Sequence, residues 1–299
     1  MKKLTNVIYI SSDEANTIIG KNKQLINGGV TSTCWIDNQF FFKLTKEHHS
    51  KKYKTVLPSS RAINEWTVLS IFKKDKVRNV PILDGIYHSK KNNIYLSRMR
   101  FIDGEILPKL IFKGEFNSKK IGKKVGEFLK LFHQKDISSE DITPVWTIKN
   151  ILLDKMDYLQ YCQLVGKSFD NLINDSSNYT LNWGDASLKN IIQTKSKKII
   201  LIDFDQCFYA PAEFDIGYCL GHVDLYRICN YYGLKEVEFF LWEMKKKYNS
   251  ILDFEKVKFF WGLTLFYRRD GYAVDGIIEK NKKNEIIQKS IDILYTKLF

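Results

Sequence analysis

One short segment constrains this 299-residue chain more than any other, because three polar side chains flank a predicted hairpin in it. Two apolar stretches, 191–193 and 199–202, surround a polar Ser-Lys turn and predict two short antiparallel strands. In the register expected for such a turn, Asn190 lies opposite Asp203 at the open end of the hairpin. Asp185 lies on the preceding loop, near the same end. The segment therefore predicts that three oxygen-bearing side chains converge.

These residue types suit the transfer of a phosphoryl group. Mg²⁺ is usually held by one or two carboxylates together with phosphate oxygens. Transfer to a hydroxyl also needs a carboxylate that orients the hydroxyl and accepts its proton. The order of Asp185, Asn190 and then a buried strand ending in Asp203-Phe204-Asp205 has the spacing of a kinase site. An isolated Asp-x-x-x-x-Asn would fit a surface hairpin equally well, but the coupled pattern is more specific.

The segment resembles the aminoglycoside phosphotransferase and choline kinase-like superfamily, which has a protein-kinase-like fold. The catalytic loop of that superfamily is His-Gly-Asp-x-x-x-x-Asn, and Trp183 stands here in place of the usual histidine. The resemblance implies that Asp185 is the catalytic base and that Asn190 and Asp203 bind Mg²⁺. It also implies that Asp215, which follows the metal motif, supports the catalytic loop.

The resemblance further implies that ATP or GTP binds to the first hundred residues. Lys43 ends an aromatic strand and corresponds to the lysine that holds the α- and β-phosphates. Glu65 lies beside the apolar stripe of a predicted helix, where an acid needs a cation, and Lys43 is its expected partner. A Gly-Gly turn corresponds to the phosphate-covering loop, and the run into the hinge corresponds to the adenine site. The nucleotide-binding residues implied in this way are Lys43, Glu65, Gly28, Gly29, Ser32, Thr33, Met99 and Arg100.

The periodicity of the chain, together with the resemblance, predicts an α+β protein of two lobes. Residues 1–97 form the smaller, β-rich nucleotide-binding lobe, with one main helix at about 61–72. Residues 98–104 form a hinge. Residues 105–299 form a larger, mostly helical lobe that carries out catalysis and binds the acceptor. Its predicted helices are 118–134, 147–165, 213–231, 235–249, 254–268 and 284–298.

Composition limits the partners and the location of the protein. The net charge of +13 fits either a polyanionic partner or a solvated lysine surface, and lysines in every region favour the surface. We therefore expect no nucleic-acid partner. The apolar run 259–267 is too short to cross a membrane. An odd number of cysteines, five, without Cys-x-x-Cys suits a reducing compartment, so we expect a cytoplasmic protein. We expect it to be a monomer or a homodimer.

The acceptor is the least constrained part of the prediction. Only ten positions separate Asp203 from Glu213, which is too few for the peptide-docking segment of a protein kinase. A small hydroxylated acceptor is therefore expected. Asp224 and Asp270 would suit a cationic acceptor, such as an aminoglycoside or choline, although ion pairs at the surface explain them equally well. The arginines that precede Asp270 would suit an anionic acceptor.

Together these patterns predict a small-molecule kinase. It would transfer the γ-phosphate of ATP or GTP to a hydroxyl of an aminoglycoside-like compound, an amino alcohol or a sugar. The alternatives are a 5-methylthioribose- or choline-type metabolic kinase, a protein or ribosome-associated kinase, and a catalytically silent binding module. The presence of a complete set of site residues argues against the silent module. These residues are Lys43, Glu65, Asp185, Asn190 and Asp203.

Overall fold

The computed structural model describes most of the chain. The described residues are 7–9, 18, 24–26, 32–37, 39–45, 58–89, 94–135, 142, 148, 151–152, 156–168, 170, 179–249, 252–270, 278 and 280–296. They divide into two compact units. The first unit contains residues 1–104, 137–145 and 192–207, and the second contains 105–136, 146–191 and 208–299. The architecture is mixed α+β, with a β-rich sheet in the N-terminal part and helices in the C-terminal part, as predicted.

The described residues contain the predicted helices, although within the predicted helix 147–165 they form an α-helix over Tyr158–Val165, and the helix at Leu107–Phe112 was not predicted. The strands are β1 (Val7–Tyr9), β2 (Gln24–Ile26), β3 (Ser32–Ile36), β4 (Phe40–Thr45), β5 (Leu83–Ser89), β6 (Ile94–Arg100), β7 (Gly104–Ile106), β8 (Tyr179–Asn182), β9 (Ile191–Thr194), β10 (Ile199–Leu201) and β11 (Phe208–Pro211). The helices are α1 (Pro58–Lys74), α2 (Leu107–Phe112), α3 (Ser118–His133), α4 (Tyr158–Val165), α5 (Glu213–Ile228), α6 (Leu234–Tyr248), α7 (Phe254–Arg268) and α8 (Lys283–Tyr295). Short 3₁₀ turns lie at Leu188–Asn190 and Lys280–Lys282.

The first unit is built on a six-stranded sheet with the order β1-β5-β6-β4-β3-β2. β1 runs parallel to β5, and the other neighbours are antiparallel. Side chains alternate along a strand, so Phe42 and Leu44 face an apolar core on one side while Lys43 faces the other side. Helix α1 packs on the side of Lys43, where the indole N–H of Trp66 donates to the Ser97 hydroxyl at 2.6 Å.

Residues 192–207 belong to the first unit, although the predicted boundaries assign them to the C-terminal lobe. Three contacts with earlier residues explain the difference. The backbone N–H of Leu201 donates to the carbonyl of Asn79 at 2.9 Å, and the ring of Phe204 packs edge-to-face on Phe72. The side chain of Lys195 also pairs with Asp103 at 2.8 Å.

The β9–β10 hairpin has a register one residue away from the predicted one. The predicted register pairs Thr194 with Ile199, but the Thr194 N–H donates to the carbonyl of Lys198 at 2.9 Å. The Lys197 N–H donates back to Thr194 at 2.8 Å, and Lys197 has a φ of 61°. A left-handed residue after such a turn forms a bulge and adds one residue to one strand. The predicted pairing of Asn190 with Asp203 involves both units and stays a prediction.

In the second unit, glycines allow two pairs of helices to pack closely. A Cβ atom on Gly217 of α5 would lie 2.7 Å from the carbonyl oxygen of Val257 in α7, so no larger residue fits there without a shift. A Cβ atom on Gly122 of α3 would lie 2.4 Å from the carbonyl oxygen of Phe240 in α6. β8 and β11 form a two-stranded antiparallel ribbon. Within the described part of the chain, no helix combines the length and the apolar character needed to cross a membrane.

Candidate active site

In the first unit, Lys43 lies at the centre of a buried cluster of charges. Its ammonium group is 3.1 Å from Glu65 Oε1, 2.5 Å from Asp203 Oδ1 and 3.1 Å from Asp205 Oδ2. Burial by itself lowers the pKa of Lys43, but the three carboxylates outweigh this effect and raise the pKa well above its usual value. Lys43 is therefore a permanent cation, and the predicted Lys43–Glu65 pair is present.

Arg61 supplies a second cation to this cluster, one helical turn before Glu65 on α1. Its Nη2 atom is 2.9 and 2.8 Å from the two carboxylate oxygens of Asp205. Burial by itself raises the pKa of Asp205, but Arg61 and Lys43 together lower it to about 2. Burial raises the pKa of Glu65 to about 7, against the opposing effect of Lys43. Asp205 is thus the more firmly charged of these two acids.

Asp203 differs from the other two acids in its backbone and in its exposure. Its φ of 65° lies in the left-handed region, which side chains other than Asn and Asp rarely adopt. Its side chain is 29% exposed, whereas those of Glu65 and Asp205 are 3% and 2% exposed. Among these three acids, Asp203 is therefore the one that a ligand can reach.

In the second unit, Asp215 of α5 holds the loop that carries Asp185. Its carboxylate accepts the backbone N–H of Trp183 at 2.6 Å and that of Gly184 at 3.0 Å. Gly184 has a φ of 82°, a conformation that favours glycine at this position. The Trp183 side chain is fully buried and packs edge-to-face on Phe128. Trp183 thus fills a packing position in the loop.

Asp215 is itself held by a buried histidine. His133, at the end of α3, has Nε2 at 3.1 Å from Asp215 Oδ2 and Nδ1 at 2.9 Å from the Tyr248 hydroxyl. The side-chain oxygen of Asn182 accepts the backbone N–H of Asp215 at 3.3 Å. Through Asp215 the loop is therefore anchored to three helices, α5, α3 and α6, and to strand β8.

Asp185 is buried and surrounded by hydrogen-bond donors. Its Oδ1 atom accepts the Tyr218 hydroxyl at 3.1 Å, and the ammonium of Lys189 lies 3.3 Å from Oδ2. The side-chain amide of Asn190 donates to the backbone carbonyl of Asp185 at 2.9 Å. The structure thus brings Asp185 and Asn190 together in this unit, as the sequence predicts.

Four of the other six predicted nucleotide-binding residues lie among the described residues. Gly28 and Gly29 lie outside the described residues. Ser32 and Thr33 begin strand β3, and the buried Ser32 hydroxyl has no hydrogen-bond partner among the residues that the structure describes. Met99 is buried at the centre of the sheet. The backbone N–H of Arg100 donates to the carbonyl of Ile82 at 3.0 Å, and the role of Met99 and Arg100 in nucleotide binding stays a prediction.

The two predicted acceptor residues have intramolecular partners. Asp224 is completely buried in α5, and its Oδ1 atom pairs with Arg227 at 2.5 Å. Asp270 is exposed and lies 2.5 Å from Lys283 and 3.6 Å from Arg269. The role of these two residues in acceptor binding stays a prediction.

Sequence reasoning did not assign four residues that contact the site. These are Arg61, Asp205, Lys189 and Tyr218. Arg61 could have been found from its spacing to Glu65, because residues four apart in a helix lie on one face and these two are a cation and an acid. Tyr218 follows Asp215 by one turn of α5, so the same kind of spacing places it on the helix face that carries Asp215. Nothing local in the sequence indicates that Asp205 pairs with Arg61.

Comparison with known proteins places the chain in a broad context. Residues 35–233 match the sequence model of a family described as the phosphotransferase enzyme family. A search of curated protein sequences found no match. Many solved structures have a similar fold, among them two aminoglycoside phosphotransferases and a choline kinase.

The GDP complex of wild-type aminoglycoside 2′-phosphotransferase-IIIa is 15% identical, with a TM-score of 0.55 over 92% of this chain and 91% of that one. The gentamicin complex of APH(2″)-IIa is 14% identical, with a TM-score of 0.55 over 96% and 95%. Choline kinase LicA from Streptococcus pneumoniae is 10% identical, with a TM-score of 0.50 over 92% and 93%. At these identities the likeness establishes the fold, and the predicted fold class is confirmed.

Proposed function

Since residues 35–233 match its sequence model, the chain belongs to the phosphotransferase enzyme family, and we propose that it is a small-molecule kinase. It would transfer the γ-phosphate of ATP or GTP to a hydroxyl of a small acceptor, such as an aminoglycoside-like compound, an amino alcohol or a sugar. The hydroxyl oxygen forms a bond to the γ-phosphorus while the bond to the bridging oxygen breaks. The nucleoside diphosphate leaves, and the hydroxyl proton passes to a base.

The observation that carries this proposal is the environment of Asp185. A buried carboxylate on a loop that Asp215 fixes through two backbone N–H groups is a preorganised proton acceptor. Asp185 would orient the acceptor hydroxyl and take its proton. Asp215 would keep the loop in position.

The charged cluster around Lys43 supports a nucleotide site in the first unit. Lys43 would hold the α- and β-phosphates, and Glu65 would keep its ammonium in place. The Ser32 hydroxyl, next to Thr33, is buried and has no hydrogen-bond partner among the described residues, which fits a site for a polar ligand. Gly28 and Gly29 would complete the phosphate-covering loop, and the backbone near Met99 and Arg100 would contact the base.

The donor set also fits Mg²⁺. Asp203 offers the exposed carboxylate of its cluster, and the amide nitrogen of Asn190 is used by Asp185, which leaves the side-chain oxygen for a cation. The described residues contain no group of three or more His, Cys, Asp or Glu side chains that would hold a metal alone. Phosphate oxygens would therefore complete the ligand set of Asp203 and Asn190, as is usual for this ion. When bound, Mg²⁺ would neutralise charge on the phosphates.

The acceptor class rests on the short segment after Asp205. Strand β11 occupies residues 208–211 and α5 begins at Glu213, so little chain remains between them to bind a peptide. Asp224 and Asp270 are the proposed acceptor-binding acids. The similar solved structures include a gentamicin complex and a choline kinase, and both are consistent with a cationic acceptor. Five cysteines, for none of which the described residues show a disulfide, and a triphosphate substrate fit a cytoplasmic location.

A direct test is to incubate the purified protein with radiolabelled ATP or GTP, Mg²⁺ and a panel of aminoglycosides, amino alcohols and sugars. We expect a labelled small-molecule product with at least one acceptor. Asp185→Asn serves as the inactive control, and Asp75→Asn, an exposed acid on the other unit, serves as the matched active control. Labelling of protein without any labelled small molecule would favour the protein-kinase alternative. Nucleotide binding without any transfer or hydrolysis would favour the silent module.

A further inference from the structure

A directed chain of hydrogen bonds links the end of helix α7 to Asp185. Arg268 Nη2 donates to the Tyr218 hydroxyl at 2.5 Å, and that hydroxyl donates to Asp185 Oδ1 at 3.1 Å. All three residues are buried, with exposures of 3%, 1% and 2%. Neither Tyr218 nor Arg268 belongs to the motifs from which the site was predicted.

The direction of this chain follows from the chemistry of its members. A guanidinium group only donates, so the Tyr218 oxygen must accept from Arg268. The hydroxyl has a single hydrogen, and Asp185 is the acceptor toward which it points. Burial raises the pKa of Tyr218 well above its usual value, so the phenol keeps that hydrogen at neutral pH. Hydrogen bonds in such a series also polarise and strengthen one another.

The two oxygens of Asp185 are therefore in different situations. Oδ1 is held by a buried tyrosine that a buried arginine fixes in turn. Oδ2 faces Lys189, whose side chain is 36% exposed and makes an ion pair with it at 3.3 Å. A flexible, partly exposed lysine can move aside for an acceptor more readily than the buried Tyr218 can.

The packing of α5 against α7 places these residues together. Tyr218 lies between Gly217 and Gly221, and a Cβ atom on Gly221 would lie 2.6 Å from the Cβ of Thr264. The absence of side chains at the two glycines lets α7 approach α5 closely. Arg268, one turn beyond Thr264, then reaches the Tyr218 hydroxyl.

We infer that Tyr218 and Arg268 are positioning residues for the general base, an inference that rests on the proposed function. Tyr218 fixes Oδ1 so that Oδ2 is the oxygen that accepts the proton of the acceptor hydroxyl. Arg268 acts through Tyr218, by fixing the direction of its hydroxyl. Arg268 therefore helps to position Asp185 and does not bind an anionic acceptor.

The test compares kcat and nucleotide KM for Tyr218→Phe, Arg268→Met and Arg268→Lys, all corrected for the folded fraction. Tyr218→Phe should lower kcat by about tenfold to a hundredfold, because small displacements of a reacting group have effects of this size. The KM for the nucleotide should change by less than about twofold. Arg268→Lys should retain more activity than Arg268→Met, because lysine keeps a donor.

Two further variants separate positioning from general stability. Tyr161→Phe is the matched control, since its buried hydroxyl donates to the Ser290 carbonyl at 2.8 Å, whereas that of Tyr218 donates to Asp185. It should leave kcat unchanged. Arg268→Met should have no added effect in the Tyr218→Phe background, since the arginine acts through the tyrosine. If the two substitutions lower kcat additively, Arg268 does not act through Tyr218, and the inference is contradicted.

The outcomes distinguish this inference from the proposed function. If the wild type uses only water as acceptor, the kcat of each variant relative to the wild type is measured for nucleotide hydrolysis instead. A wild type that neither transfers nor hydrolyses overturns the proposed function and this inference with it. An active wild type with Tyr218→Phe within twofold of its kcat overturns this inference alone. If Tyr218→Phe does not fold, Arg268→Met decides the question by the same criterion.

Discussion

A single nitrogen of Arg61 bonds to both carboxylate oxygens of Asp205, at 2.9 and 2.8 Å, inside the first unit. Asp205 is 2% exposed and Arg61 is 13% exposed at the side chain, so each ion depends on the other for solvation. Lys43 is the second partner of Asp205. With three acids and two cations in the cluster, loss of either cation leaves buried negative charge without compensation.

Replacing Arg61 with methionine should therefore destabilise the protein strongly. Removing one partner of a buried ion pair costs about 3–5 kcal/mol, because the remaining charge stays buried. The free energy of unfolding, measured by urea denaturation, should fall by that order. Lys113→Met, which breaks the exposed Lys113–Glu105 pair, should show no resolvable change. Equal stabilities of Arg61→Met and the wild type would show that the Arg61–Asp205 pair does not form.

The role proposed for Asp185 makes a separate prediction about activity. Asp185→Asn keeps the shape of the side chain and a hydrogen-bond acceptor for Tyr218, but it cannot take a proton at neutral pH. We expect turnover to fall by about a hundredfold to ten-thousandfold, with the fold and nucleotide affinity retained. Steady-state kinetics and a nucleotide titration measure the two quantities. Phosphoryl transfer near the wild-type rate would remove Asp185 from the role of base.

The two proposed metal ligands, Asp203 and Asn190, differ in charge. Asp203→Ala removes a carboxylate and Asn190→Ala removes a neutral oxygen, so Asp203→Ala should weaken Mg²⁺-dependent nucleotide binding more. Calorimetric titrations with and without Mg²⁺ give the two affinities for each variant. If Asp203→Ala shows the Mg²⁺ dependence of the wild type, Asp203 does not bind the ion.

Burial of Cys34 predicts its chemical reactivity. Cys34 lies opposite Lys43 in the sheet, and burial raises its pKa from 9.0 to about 12 despite the nearby ammonium. At pH 8 its thiolate fraction should be about a thousandfold lower than that of a solvated thiol. Iodoacetamide labelling followed by mass spectrometry should therefore modify Cys34 only after unfolding. Cys162 and Cys229, which are partly exposed, provide the internal comparison.

How much the sequence could predict depended on how local each signal was. The family and the pair of Asp185 and Asn190 were predicted correctly, because the spacing within one loop carries the information. Helix α7 begins and ends where it was predicted, since Asp253 caps its N-terminus and accepts the N–H groups of Glu255 and Lys256. These features need only neighbouring residues.

Apart from the Lys43–Glu65 pair, which the family resemblance implied, the contacts between distant residues were not predicted, and neither was the geometry of the hairpin turn. The hairpin register was wrong by one residue, because the left-handed conformation of Lys197 is not visible in the residue type. The Tyr218–Arg268 contact joins positions fifty residues apart, and it exists only because α5 and α7 pack closely. The same holds for Arg61 and Asp205, which are 144 residues apart.

The acid Asp270 gives a test of acceptor charge. It is exposed, so a cationic acceptor can compete with Lys283 for its carboxylate without a large change in the fold. Asp270→Ala should raise the KM of a cationic acceptor and leave the KM of the nucleotide nearly unchanged. The buried Asp224 is less suitable, because its removal also leaves Arg227 without its partner at 2.5 Å. An unchanged acceptor KM in Asp270→Ala would remove this residue from the acceptor site.

The final prediction separates a small-molecule kinase from a protein kinase. In the second unit, residues 208–211 are already paired with β8, with Phe208 opposite Asn182 and Pro211 opposite Tyr179. Pro211 has no backbone N–H and restricts φ, so this strand offers little freedom to rearrange. A peptide needs an extended ledge at this position, whereas a small acceptor needs only a pocket with a few polar groups. We therefore expect transfer to a small alcohol and negligible transfer to casein, histone or ribosomal proteins under the same conditions. Robust phosphorylation of such proteins, with no product from the alcohol panel, would contradict the assignment of a small acceptor.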